Sequence, residues 1–308
     1  MAKLYLLGQG DRVITSTCIT GCILRLNPRA DNDGTPSFDG RSPVKRTMMM
    51  LGLVLAASMA FGQTRSVFTE DLTWFEIRDL IAAGHTTAIV FAGGIEQNGP
   101  HMTVIKHNAI ARYEAGKIAE QLGNALVYPI VPFSPAGDPV EKTGHSRFVG
   151  TVSLSSEVFM GVMRQVALSA LSGGFKNVYL MGDHGGGQSE LKLAADTLDA
   201  EWKAKGARVY YVAFAKSTQQ TNAYLAEHKI PGGGHAGVAE TSQVMFLDGQ
   251  KWIRKDKLTA AKGLPEPTTG INGDPSPATA EMGKMFLDFK VADAVEQIRT
   301  SIAAQQKK

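Results

Sequence analysis

The chain has 308 residues, 44% of them hydrophobic and 20% charged, enough apolar material for one large α/β domain with its own core. Its formal net charge of +3 comes from the N-terminal part: seven of the 32 Lys/Arg and four of the 29 Asp/Glu lie in residues 1–62, which leaves residues 63–308 with 25 of each and no net charge. That balance, without a run of Lys or Arg after residue 62, argues against a nucleic-acid partner, and because Cys18 and Cys22 both lie before residue 62, the remainder holds neither a disulfide nor a cysteine-bound metal.

The stretch "KRTMMMLGLVLAASMAFGQ" sets Lys45 and Arg46 before an apolar run and then small residues from Ala57 to Gly62, the order of a secretory signal peptide. The apolar run is roughly 15 residues, where a membrane-spanning helix needs about 20. Residues 44–62 are therefore expected to be cleaved, with Gln63 first in the mature chain, no stable membrane insertion afterwards, and a periplasmic or secreted product. An uncleaved anchor is the alternative. Residues 1–43 show no clear periodicity and read as an over-extended start, with Val44 or one of Met48 to Met50 as the first residue. Residues 63–308 read as a single domain.

From there the elements follow in order. Thr73 and Glu76 in "LTWFEIRDLIAAG" form a capping-box pattern and Gly84 ends the apolar turn, so a helix is expected. "TTAIVFA" (86–92) is the first strand, and a helix follows over 110–123. A second strand is expected over 125–133, a helix over 155–174 with serine at its start, and a third strand over 176–182. A helix over 189–206, a fourth strand over 207–215 and helices over 216–227, 236–247 and 279–305 complete the pattern. Apolar strands alternating with amphipathic helices predict an α/β fold with a mostly parallel sheet covered on both faces.

In such folds ligands sit beyond the carboxyl ends of the strands. Glu96 follows the first strand in "GGIEQNGPH", residues 138–145 follow the second, and His184 follows the third in "MGDHGGGQ". His235 and Glu240 share a further glycine-rich turn, "GGGHAGVAETS". Each histidine alone fits a capping or hydrogen-bonding role. Together, imidazoles and carboxylates on glycine-rich turns fit a divalent metal, and a His₂Glu set leaves room for a water. "GDHGGGQ" lacks the Lys-Ser/Thr of a phosphate loop and the spacing of a dinucleotide fingerprint, and "SLSS" lacks a nucleophile-elbow context.

Five segments resemble the creatininase family of metal-dependent amidohydrolases: "GGIEQNGPH", "HSRFVGT" (145–151), "LMGDHGGGQ" (180–188), "HAGVAETS" (235–242) and "GDPSPAT" (273–279). The resemblance implies a three-layer α/β/α fold, often a homohexamer, and a metal site holding a water that attacks an amide carbon. It places ligands at Glu96, His107 and His184, with His107 where the family has a bridging aspartate. It also exposes departures: Asn98 stands where the family has a histidine ligand, and Gly186 where creatininases have an acidic one. One ion per chain is expected, zinc with manganese or iron as alternatives, with Glu240 as a fourth ligand or the general base.

On this basis His235 is expected to protonate the leaving nitrogen, Asn98 to donate to the oxyanion, and His101 to orient the loop or substrate. The expected activity is hydrolysis of an amide or cyclic amide C–N bond in a small-molecule substrate. Segments 134–149 and 263–278 are expected to shape specificity. Two other readings stay open: a non-catalytic periplasmic binding protein on the same scaffold, and a mononuclear iron protein.

Overall fold

The structure is a computed structural model that describes residues 66–260 and 264–306. The signal peptide expected over 44–62 and the extension expected over 1–43 lie outside the described residues.

Among the described residues, four strands form one sheet: β1 (Thr87–Ala92), β2 (Ala125–Val127), β3 (Asn177–Gly182) and β4 (Arg208–Tyr211), in the order β2-β1-β3-β4 and all parallel. Around it lie α1 (Trp74–Ala82), α2 (Lys106–Leu122), α3 (Ser156–Ser172), α4 (Gln188–Trp202), α5 (Ala215–Glu227), α6 (Val238–Trp252), the short α7 (Glu266–Thr269) and α8 (Ala280–Gln306).

Strand alternation sorts side chains into two cores. Ala88, Val90, Val178 and Leu180 face one side, where Phe159, Met163 and Leu171 of α3 and Leu191 and Leu198 of α4 pack on them. Ile89, Phe91, Tyr179 and Met181 face the other, against Ala115 and Ile118 of α2 and Val291, Val295 and Ile298 of α8. The result is the three-layer α/β/α arrangement expected from the sequence. α6 packs on α2 and α8 through a further cluster that includes Ile110, Val244 and Leu287.

Local signals held where they were strong. Thr73 N–H donates to Glu76 Oε2 at 2.8 Å and the box is reciprocal. Ser155 caps α3 through Val158 N–H. The second strand stops at Val127 rather than running to 133, because Pro129 and Pro132 have no N–H for a ladder. α2 begins at Lys106, four residues before the expected start. Its N-cap is Ile105, which makes no side-chain capping bond, so the usual signal for a helix start is missing. Among the described residues no helix is long and apolar enough to cross a membrane.

Strand order reverses between β1 and β3, since the chain goes from β1 to β2 on one side and reaches β3 on the other. Their carboxyl ends form the crevice where parallel α/β sheets bind ligands.

A candidate metal centre at the strand switch point

Glu96 is carried to this crevice by the loop after β1. A Cβ on Gly93 would come within 2.0 Å of Asn108 Oδ1, and Gly94 N–H donates to that oxygen at 2.9 Å. Only a glycine lets the loop run this close to α2. Glu96 therefore meets the first turn of α2, with Lys106 and His107, and the loop after β3, with His184.

The Glu96 carboxylate is 1% exposed and is the hub of the site. Its Oε1 lies 2.7 Å from His107 Nε2, 3.1 Å from Lys106 Nζ and 3.4 Å from His235 Nδ1. Its Oε2 lies 2.8 Å from His184 Nε2 and 3.3 Å from His145 Nε2. Among the described residues, two sets of donor atoms each fall within 4.8 Å of one another: Glu96 with His107 and His184, and Glu96 with His145 and His235. The first set is fully buried. His107 Nδ1 donates to Asp183 Oδ2 at 2.5 Å, which fixes the ring and turns Nε2 inward. Imidazole nitrogens and a carboxylate, with a carboxylate behind one imidazole, are donors that zinc, manganese and iron share.

Charge is densely compensated here. Burial alone would raise the Glu96 pKa, but Lys106 and the hydrogen bonds from His107 and His184 outweigh it and hold the carboxyl far below the usual range. Burial opposes the charge on Lys106, yet Glu240 and Glu96 raise its pKa and keep it an ammonium. Burial and then Lys106 push His235 and His101 down to about 4, so both are neutral at pH 7. Burial likewise lowers His145. Behind the ligands, Asp183 pairs with Lys290, whose Nζ also lies 2.6 Å from the fully buried Glu114.

The residues singled out from sequence, His235 aside, divide three ways. Glu96, His107 and His184 come together. Glu240 does not join either donor set: its Oε2 lies 2.6 Å from Lys106 Nζ and accepts from Ala236 N–H, and its side chain, 22% exposed, lines the cavity. Asn98 and His101 belong to the loop rather than to the cavity wall. Both amide protons of Asn98 are engaged, by Glu96 O and Thr103 O, so it has none for an oxyanion. His101 is wholly buried with Nε2 3.0 Å from Thr241 Oγ1, which ties the loop to α6.

His235 Nε2 donates to Gln97 O at 2.9 Å, leaving Nδ1 facing Lys106 and Glu96. Gln97 Nε2 reaches Gly270 O and His145 Nδ1, so Gly270 holds the loop from behind while residues 135, 136, 144 and 145 line the cavity directly. That cavity is about 380 Å³, and a second of about 860 Å³ shares His184, Gly185, Gly234 and Glu240 with it.

Three residues at the centre carried no role from sequence: Lys106, Asp183 and His145. His145 stood in a family-like segment and Asp183 beside His184. Lys106 gave no signal, since a lysine at a helix start reads as surface.

The family model described as "Creatininase: Creatinine amidohydrolase" matches residues 70–298. The chain is 26% identical over 235 residues to a mycofactocin precursor peptide peptidase of Mycobacterium tuberculosis (strain CDC 1551 / Oshkosh), covering 68% of this chain and 83% of that protein. It is 28% identical over 121 residues to the creatinine amidohydrolase of Pseudomonas putida, 39% of this chain and 46% of that one. Among solved structures, creatinine amidohydrolase (creatininase) superposes with a TM-score of 0.66 at 21% identity, over 77% of this chain and 98% of the other. A structure described as "Creatininase Mn" gives 0.65 at 22%, over 77% and 99%. These likenesses establish the shared fold.

Proposed function

This chain belongs to the creatininase family and is a metal-dependent amidohydrolase, and from that premise we propose an exported hydrolase of an amide or cyclic amide C–N bond, using one divalent ion held by Glu96, His107 and His184. The observation that carries the ligand assignment is the buried Glu96 carboxylate with His107 Nε2 at 2.7 Å on one oxygen and His184 Nε2 at 2.8 Å on the other. Zinc is the proposed ion, with manganese and iron as alternatives, because the donor types suit all three. A homo-oligomer, a hexamer by family likeness, is part of the same proposal. The peptidase relatives extend the proposed substrates to short peptides.

When bound, such an ion lowers the pKa of a water and polarises a carbonyl. The chain's own groups do the rest. With an ion at Nε2, Asp183 would hold His107 as the Nδ1–H tautomer. Glu240 is an ionised carboxylate on the cavity wall, positioned by Lys106 and Ala236 N–H, and takes a proton. Gln97 Nε2 donates to His145 Nδ1 at 3.1 Å, which leaves a proton on His145 Nε2. His145 lines the cavity and is 27% exposed, so we assign its Nε2–H, in place of the Nε2–H of His235 that Gln97 O holds, to hydrogen-bond the substrate, while the proton Glu240 takes from water is the one passed on to the leaving nitrogen.

The test is a panel of linear amides, cyclic amides and short peptides offered to the chain beginning at Gln63, alongside His184→Ala. Turnover that depends on added zinc or manganese and disappears in the variant is expected. Turnover unaffected by His184→Ala would overturn the ligand assignment. N-terminal sequencing of protein from the periplasmic fraction should begin at Gln63; protein retained in the cytoplasm with residues 44–62 intact would overturn export.

A further inference from the structure

Lys106 is the most unexpected side chain in the site. It is 0% exposed, and its Nζ lies 2.6 Å from Glu240 Oε2, 3.1 Å from Glu96 Oε1 and 3.4 Å from His235 Nδ1. An ammonium has three protons and no lone pair. Each of the three neighbours is an acceptor. Both oxygens are carboxylate, and His235 Nδ1 carries the lone pair because Nε2–H donates to Gln97 O. The three contacts therefore satisfy the three protons.

The place Lys106 occupies is the second donor set. Glu96 and His235, two of that set's three members, are bonded to it, and the third, His145, lies tilted against His235 with ring centroids 4.1 Å apart. A divalent ion taking Glu96 Oε1 and His235 Nδ1 as ligands would need the same atoms and would sit against a positive charge. Without the ammonium, Glu96, His145 and His235 would offer a carboxylate and two imidazoles within 4.8 Å of one another, with the Glu240 carboxylate that Lys106 now holds freed beside them, donor types ordinary for zinc or manganese.

We propose that the Lys106 ammonium is the protein's built-in second cation: it fills the position among Glu96, Glu240 and His235 and limits the centre to one metal ion. Lys106 acts as a positioning residue, fixing the Glu96 and Glu240 carboxylates as a second ion would. This inference rests on the ion site proposed above at Glu96, His107 and His184.

The experiment counts metal ions per chain by elemental analysis after saturating with manganese(II) and removing excess, in wild type, Lys106→Ala and Lys106→Ala/His145→Ala. The expected counts are one, two and one. Two ions in the wild type, or one in a folded Lys106→Ala, overturns the proposal. A count of zero in wild type and one in Lys106→Ala keeps the lysine in its role while refuting the Glu96, His107 and His184 site; zero in both refutes both. If Lys106→Ala does not fold, the wild type alone decides by electron paramagnetic resonance: an isolated six-line manganese spectrum at saturation is expected, and a spin-coupled pair overturns the proposal.

Discussion

His107 and Asp183 are joined by a hydrogen bond of 2.5 Å between Nδ1 and Oδ2, and the opposite nitrogen of the same ring faces Glu96 at 2.7 Å. One imidazole thus links the loop after β1 to the loop after β3 across the switch point of the sheet. Removing the charge behind a ligand histidine lowers metal affinity by about 10–100-fold. Asp183→Asn is expected to lose affinity on that scale, measured by competition with a chromophoric chelator. An unchanged affinity would mean that His107 is not a ligand.

Glu240 separates two roles. If it is the base and not a ligand, Glu240→Gln keeps its metal and loses about 10²-fold or more in kcat. Elemental analysis beside steady-state kinetics distinguishes the cases: loss of metal makes Glu240 a ligand, and full turnover removes it as the base.

Gly186 is more than a missing acidic ligand. A Cβ there would lie 2.0 Å from Pro135 O and 3.0 Å from His184 Cε1. Gly186→Glu is therefore expected to destabilise the protein by about 1–3 kcal/mol, the usual scale of overpacking, and not to add an ion. Urea unfolding and metal counting test both halves.

His101 gives a pH dependence with a definite sign. Burial, then Lys106, lowers its folded pKa to about 4 against an ordinary value of 6.5. The unfolded chain therefore binds a proton in that window that the folded chain does not. Its contribution to stability is full above pH 6.5 and is lost progressively as pH falls to 4, about 3 kcal/mol in all. His101→Gln should flatten the stability profile between pH 6.5 and 4 relative to wild type. Parallel profiles would mean that the imidazole protonates freely in the fold.

The sequence showed the sheet and its covering helices because their signals are local: apolar runs of strand length, a reciprocal cap at Thr73 and Glu76, and glycines after helices. It brought Glu96 and His184 to the same region because the strand-end rule needs only chain order. His107 was reached through family spacing alone, since the helix that presents it starts without a cap. Lys106 was out of reach. Its burial depends on Glu96 and Glu240, ten residues before it and 134 after it in sequence, and composition does not reveal such a pairing. His145 had a place in a family-like segment, but its proton position follows from Gln97, which only the fold reveals.

The most direct test of the account is a metal titration. Chain beginning at Gln63 would be stripped with chelator and zinc or manganese returned in steps, while hydrolysis of the best amide from the panel is followed. Activity that is absent without metal and saturates at one equivalent per chain is the predicted result. Full activity in the stripped, folded protein, or saturation only at two equivalents, would contradict a single ion at Glu96, His107 and His184.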